Sequence, residues 1–503
     1  MISTEIQTRD PDQLLVIIDE QDQEIEQLKE ALRLLRHNRF GASQESFNAL
    51  QVPLFPIDEG EYKACLEQAE KDKTEVPSHQ RRKPKKRVIL ADHLSRERVD
   101  IDLPEEEKTC PCCDTEMTKI GEDITKKVEF VPATLKVREY ARAKYACKHC
   151  QGHIKRADLP PMILPKSVLS ASILAYIIVS KFVDHLPLHR IERQFERLGC
   201  YLPRGMQCRG LLKVAEQSAV LVKLMSDDIR AGPVIATDDT IMPLQNDIPG
   251  RGRTIQGRLW VYRGGPPGEP PLIVFRFTRT RSQSEPLDFF KGYKGYLMSD
   301  GYPGYQLLFK SGEIKHVACN VHARRKFVEV VRSMKKAHRA HEAIAIYKQL
   351  YKVEKVVNTL PLNERSTYRQ ERALPILKQM EAWLLDQQSA VLPKSKLAKA
   401  INYCLNLWPA LKRYVEADFL KPDNNDVERI VRSAALGRKN YLFTGSDRGG
   451  EAIAIFYSLV ESAKAHNLNV LHYLTNVLER LPYCKTTEDY RALTPNRWKP
   501  YNQ

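Results

Sequence analysis

At 503 residues the chain is too long for one ordinary core, and at roughly 100–200 residues per domain it predicts about three or four units. Its 79 Lys and Arg against 63 Asp and Glu leave a formal charge of +16, an excess that is clustered and suits a polyanionic partner, nucleic acid ahead of a membrane. Met1 to Asp10 has no basic start leading into an apolar stretch, and the longest apolar run, around Ile173 to Val179, ends at Lys181 and is too short to span a bilayer. The expectation is a soluble, cytoplasmic chain with no membrane partner.

Leu14, Ile18, Gln21, Ile25, Leu28, Leu32 and Leu35 alternate steps of four and three, which keeps one apolar seam on a helix wound as a coiled coil. Residues 1–50 are therefore expected to form a leucine-zipper-like helix that joins subunits, at least a dimer. The same seam would also serve a helix docked on its own protein. Residues 51–100 mix prolines, acids and lysines as a linker that carries a basic arm: Arg81, Arg82, Lys83, Lys85, Lys86 and Arg87, interrupted by Pro84. A proline-broken charge run cannot be a long helix and suits an arm lying along phosphates, although such runs also serve as solvated faces.

Residues 101–160 hold two C-x-x-C pairs, Cys110-Pro-Cys-Cys113 and Cys147-Lys-His-Cys150. In a reducing compartment such pairs read as metal binding rather than disulfides, and four thiolates close a tetrahedron around one structural Zn2+. Val128 to Val131 and Leu135 to Val137 look like short strands between them, as in a zinc ribbon; Cys112, His149 and His153 stand as spare ligands. Residues 161–230 are helical with a break at Gly199 to Pro203, fitting either a helix-turn-helix or a plain connector.

From Val234 the pattern changes to strands: Val234 to Thr237 running into Asp238 and Asp239, then Arg258 to Arg263, then Pro271 to Phe277. A helix around Leu287 to Phe290, a strand from Gly295 to Ser299 ending at Asp300, and a further strand to Cys319 follow. Three strands in a meander followed by alternating helices and strands, with acids at strand ends, is the order of a ribonuclease H-like core, here expected over residues 231–333 and 421–470. Residues 334–420 would be a helical insertion and 471–503 a C-terminal segment. Clustered carboxylates repel one another unless hard cations sit between them, and two such ions suit phosphodiester exchange. The expected fold class is thus a multidomain α+β chain: coiled-coil helix, zinc ribbon, helical DNA-binding region, and ribonuclease H-like α/β core with a helical insertion.

Asp423-Asn-Asn-Asp-Val-Glu428-Arg429 and Ala435-Leu-Gly-Arg-Lys-Asn440-Tyr-Leu-Phe-Thr-Gly-Ser446 closely resemble blocks of the insertion sequence 66 transposase family. Asp238-Asp-Thr240, Gly257 to Val261, Asp300-Gly-Tyr302, His322-Ala-Arg-Arg-Lys-Phe327, Leu405 to Leu411, Phe40-Gly41, Arg81 to Pro84 and both cysteine knuckles agree in order, so the resemblance covers nearly the whole chain. It implies a bacterial DDE-type transposase in which Asp238, Asp300 and Glu428 hold two Mg2+ (or Mn2+) ions, cut DNA at the element's terminal inverted repeats and join the freed 3′-hydroxyl to target DNA. Accessory proteins of the same element and a nucleoid location would go with that role. His322, Arg324, Arg325, Lys326, Arg429, Arg438 and Lys439 would then meet DNA. Three positions depart from the family: Asp239 replaces a usual Glu, Gly301 a usual Ala, and Asn320-Val321 a usual Trp-Ala. The first leaves Asp239 as a rival to Asp238, since neighbours on a strand face opposite sides. Glu428 would lie just inside a helix capped by Asp423 or Asn424. Cys319 and His322 also have metal-ligand character, but two ligands do not close a zinc site. A DNA-binding regulator and a nuclease without strand transfer are the alternatives.

Overall fold

A computed structural model describes residues 134–146, 154–245, 254–333 and 337–500, together with Arg98 and Cys112. The heptad seam of Leu14 to Leu35, the arm of Arg81 to Arg87, and Cys110, Cys113, Cys147 and Cys150 lie outside the described residues. The chain divides into two units; only Arg98 and Cys112 are described in Ala42–Ala133, so every element named here belongs to the other.

Strands β1 (Lys144–Ala146) and β2 (Ile154–Arg156) pair antiparallel, with Cys147 and Cys150 between them in sequence. Leu135 to Val137, expected as a strand, has no strand partner among the described residues, and Leu135 packs against the core; Val128 to Val131 lies outside the described residues. The apolar run at 173–179 is the heart of α1 (Ala171–Phe182), whose Leu174, Ala175, Ile177, Ile178 and Phe182 are buried within the protein. Helix α2 (Leu188–Arg197) and α3 (Arg204–Arg230) are separated by Gly199 at a φ of +80°, a conformation that favours glycine. Leu211, Val214, Ala215, Ser218, Leu221, Val222, Met225 and Ile229 keep helical spacing and are all buried, so α3 packs lengthwise against the sheet as a core helix.

The main sheet contains β3 (Val234–Gln245), β4 (Thr254–Gly264), β5 (Leu272–Thr278), β6 (Gly295–Ser299) and β7 (Ile314–Ala318), in the order β5-β4-β3-β6-β7. The first three strands are antiparallel, and β6 and β7 run parallel to β3. Short helices α4 (Ser284–Phe289) and α5 (Gln306–Phe309) lie in the two crossovers. β3 is twelve residues long, well beyond the predicted Thr237, because its antiparallel pairing with β4 continues from Ile235 to Gln245.

Helix α6 (Asn320–Ser333) follows β7 and is succeeded by the expected helical segment, α7 (His338–Val357), α8 (Arg365–Ala390) and α9 (Lys396–Lys412). The chain returns through α10 (Asn425–Tyr441) and α11 (Asp447–Ala465), then α12 (Val470–Arg480) and α13 (Thr487–Arg491). α11 seals the β5 edge: Ser458 and Ser462 Oγ accept the Phe275 and Ile273 N–H groups at 2.8 Å, and Ser462 donates to the Ile273 carbonyl at 2.9 Å. Among the described residues no helix is long and apolar enough to cross a membrane.

In the helical segment Arg369 is buried and forked on Glu354, with both N–O distances at 2.9 Å. Its guanidinium also sits 5.6 Å from the Tyr414 ring centroid. Breaking a buried pair strands a charge, so Arg369→Met should cost about 3–5 kcal/mol in denaturant unfolding. The double replacement Arg369→Met with Glu354→Leu should recover most of that loss.

Candidate active site

The parallel register of β3 and β6 ends at Ala236 opposite Met298. Two residues further on stand Asp238, still within β3, and Asp300, the residue after β6 ends, close enough where the parallel pairing stops for the charge of Asp300 to act on Asp238. Asp238 is thus within β3 rather than at its end, yet it is at the end of the β3–β6 ladder. Its Oδ1 accepts the Asp239 N–H at 2.8 Å, and Asp300 Oδ1 accepts the Tyr302 N–H at 3.0 Å. Burial pushes the Asp238 carboxyl up to about 7; the charges of Asp300, Asp239 and Glu428 push the same way, while the Asp239 N–H opposes.

Asp239 points elsewhere. Its carboxylate is only 2% exposed and is gripped by Arg258 at 3.0 Å and by Arg281 at 2.7 Å. Arg281 in turn lies 3.9 Å from the Tyr302 ring centroid, and Tyr302 donates to the Arg281 carbonyl at 2.7 Å. This network locks the segment after β5 against the loop that carries Asp300. Sequence patterning gave no sign of it: Arg258 stands in the Gly257 to Val261 block and Arg281 in no motif, and neither position tells which acid it meets.

Glu428 reaches the acids from α10. Asn424 is the N-cap residue, but its side chain makes no capping bond; Asp423 Oδ1 instead accepts the Asn425 N–H at 3.2 Å. The Asn424 amide acts over a longer range, since its Nδ2 donates to the Thr237 carbonyl at 2.8 Å, one residue before Asp238. Its backbone N–H donates to Cys319 Sγ at 3.3 Å. Asn320, where the family has Trp, is buried and donates through Nδ2 to the carbonyls of Leu411 and Pro422 at 3.0 and 3.1 Å. A Cβ on Gly301 would come within 3.0–3.1 Å of Tyr403 and Leu407, tight enough to favour glycine here over the usual alanine.

His322 Nδ1 lies 3.7 Å from Glu428 Oε1, and Arg325 lies 3.5 Å from Oε2. Both Nδ1 and Oε1 are buried without a hydrogen-bond partner among the described residues, and burial lowers the His322 pKa while Glu428 opposes that shift. Donor atoms of Cys319, His322 and Glu428 all fall within 4.8 Å of one another, adding a third metal-capable group to the pair seen in the sequence. Burial raises the Cys319 thiol to about 11, and its sulfur already accepts N–H groups at the start of α6 and α10, so it acts as an anchor.

Of the predicted cationic residues, Arg324, Arg325 and Lys326 are exposed on the second turn of α6, and Arg429 and Lys439 are exposed on α10. Arg438 turns inward and donates to the Ile241 carbonyl, tying α10 to β3. Arg432, one turn beyond Glu428, is exposed and was not singled out by any motif.

With this geometry in place, comparison with known families is decisive. The description "Transposase IS66 family" matches residues 166–452, more than half of the chain. The chain belongs to the IS66 transposase family. Its zinc-finger binding domain matches residues 107–151, a span containing all four paired cysteines, and the IS66 C-terminal element matches 458–496. Residues 27–99 match a region described as transposase C of IS166 homeodomain. Three uncharacterized proteins of Sinorhizobium fredii are similar: y4jD is 33% identical over 424 residues, covering 82% of each chain. For y4hP identity is 29% over 497 residues, 94% of this chain and 88% of the relative; for y4qI it is 28% over 501 residues, 95% and 90%. The IS66 zinc-finger match supports a structural zinc.

The raised Asp238 pKa carries a testable sign. The folded chain holds that proton more tightly than the unfolded one between about pH 4 and 7, so stability falls as pH rises through that window. In metal-free buffer Asp238→Asn should melt a few degrees above wild type at pH 8 and at the same temperature at pH 4. Equal melting at both pH values would contradict a buried, repelled carboxyl.

Proposed function

We propose that this IS66-family chain cuts DNA strands at the terminal inverted repeats of its element and joins the freed 3′-hydroxyl to target DNA, with Asp238, Asp300 and Glu428 as its catalytic acids. The observation that carries the reading is the convergence of these acids: two by strand register and one through the Asn424 clamp on Thr237. The sheet order β5-β4-β3-β6-β7, with three antiparallel strands followed by two parallel ones, supports assigning a ribonuclease H-like core.

The donor set suits hard divalent cations. Asp238 and Asp300 each use one oxygen to accept a backbone N–H, which leaves the other for a metal, and Glu428 Oε1 is buried and unpaired. Two Mg2+ or Mn2+ ions bound there would supply positive charge at the attacking and leaving oxygens of phosphodiester exchange. The chain's own residues set the stage: Asn424 fixes α10, Arg325 stands 3.5 Å from Glu428 Oε2, and Arg258 with Arg281 keep Asp239 out of the site. Arg324, Arg325, Lys326, Arg429 and Lys439 are assigned to phosphate contact; Arg438 is assigned to structure. The arm of Arg81, Arg82, Lys83, Lys85, Lys86 and Arg87 adds affinity without sequence choice, and the Leu14 to Leu35 seam joins subunits. A cytoplasmic protein working at the nucleoid completes the reading.

The test is cleavage and joining of a labelled terminal repeat with Mg2+ or Mn2+. Asp238→Asn, Asp300→Asn and Glu428→Gln should each lose about a hundred-fold or more while still binding DNA. Asp239→Asn should lose less than about ten-fold, because its charge serves the two arginines; near-normal joining by Asp300→Asn or Glu428→Gln would sink the assignment.

For zinc, Cys110, Cys113, Cys147 and Cys150 are proposed as ligands of one ion that leaves no open coordination position. Metal analysis should give one zinc per chain, falling towards zero in Cys113→Ser and Cys147→Ser. Full zinc retention in both variants would refute the ligand set.

A further inference from the structure

Helix α10 ends in a strained turn. Leu442 has a φ of +65° and a ψ of −53°, and the Phe443 N–H donates to the Tyr441 carbonyl at 2.8 Å, closing a three-residue γ-turn of the rare positive-φ kind. A branched apolar residue is among the least suited to that conformation. The turn persists because both flanks are pinned. Ahead of it the Tyr441 and Tyr457 hydroxyls bond at 2.6 Å, and Lys181 Nζ lies 4.0 Å from the Tyr441 ring centroid. A Cβ on Gly437 would meet those two hydroxyls at 2.3 and 2.4 Å, so glycine is what lets the tyrosines close there. Behind it Thr444 is laced to β3, its N–H donating to the Pro243 carbonyl and its carbonyl accepting the Gln245 N–H, each at 2.8 Å.

What this scaffold delivers is apolar surface in water: Leu442 is 64% exposed and Phe443 43%. Strain held from both sides with no packing gained is a mark of function rather than of stability. The surroundings name the partner. Arg429, Arg432, Leu436 and Lys439 follow one another at steps of three, four and three and are all exposed, so one face of α10 carries three cations around an apolar residue from the turn of Glu428 to the apolar tip, Arg429 among them lying 3.8 Å from Asp426. A second copy of the same face would set these cations against one another, whereas a nucleic acid backbone matches them.

The geometry points to Leu442, backed by Phe443, as an apolar wedge that enters a DNA base step while the cations of that face track the phosphates. Apolar side chains inserted in this way unstack a step and kink the duplex. Fourteen residues separate Leu442 from Glu428, about 21 Å along the helix. At about 3.4 Å per base pair, the wedged step lies roughly six pairs from the scissile phosphate. This inference rests on the DNA-cleavage reading above.

The test uses the full-length protein and terminal-repeat duplexes with 2-aminopurine placed at successive positions on both sides of the cut, with cleavage measured on the same DNA. Wild type should brighten one position about six pairs from the cut. Leu442→Asn, a residue that tolerates positive φ, should melt no lower than wild type and keep the salt dependence of binding. It should lose the brightening and about ten-fold in affinity, and Leu442→Asn with Phe443→Ser should lose more. Cleavage by wild type without a brightened step, or brightening that survives the double variant, overturns the wedge alone. Absence of cleavage overturns the functional reading and the wedge with it. A change in mass by light scattering for Leu442→Asn without DNA, with brightening retained, would make the patch a self-contact and overturn the wedge.

Discussion

The buried amide of Asn424 is the constraint on which the site depends. It donates to β3 through Thr237, and the backbone N–H of the same residue donates to Cys319 just before α6, so one residue ties together segments more than a hundred residues apart. Asn320 repeats the device from the other side, bonding Leu411 and Pro422. With these two amides in place, α10 has one place to sit, and its first turn faces the acids of β3 and β6. Each amide is buried, so losing a partner would leave an unsatisfied polar group, which is costlier than the bond itself is worth. That asymmetry keeps the joint closed.

Electrostatics then divides the two adjacent aspartates. Asp239 sits between two guanidinium groups and is neutralised by the protein itself. Asp238 has only a backbone N–H to offset burial and three acidic neighbours, and its carboxyl is pushed up accordingly. One strand therefore presents a satisfied carboxylate on one face and an uncompensated one on the other. The difference arises from what lies opposite each face, since the two residues are chemically the same.

Much of this was legible in the sequence, and the reason is periodicity. Strands β3 to β7 and the helical segment from α7 to α9 follow from local hydrophobic pattern and turn residues, which are read over a dozen positions or fewer, whereas Glu428 was picked out only by the resemblance of its Asp423 to Arg429 block. What was not legible depends on distant partners. β3 runs past Thr237 because β4 continues to pair with it, and in the Leu135 to Val137 segment Leu135 packs against the core while Val137 stays exposed. Asn424 appeared as a helix cap because Asn favours that position, yet its side chain is taken by a carbonyl 187 residues away. Arg438 reads as one more surface cation until Ile241 is seen beside it. The cationic sequence Gly-Arg-Lys-Asn thus divides into an inward arginine and an outward lysine, a division no linear motif expresses.

The order in which the chain delivers its parts has a consequence for synthesis. Asp238 and Asp300 emerge from the ribosome early, but Asn424 and Glu428 follow only after α7, α8 and α9 have been made, and α11 must still come to cover the β5 edge. A nascent or truncated chain that stops short of Asn424 would lack the clamp on Thr237 and leave the Ile273 and Phe275 N–H groups of β5 without their serine partners, an open strand edge that invites pairing with another chain.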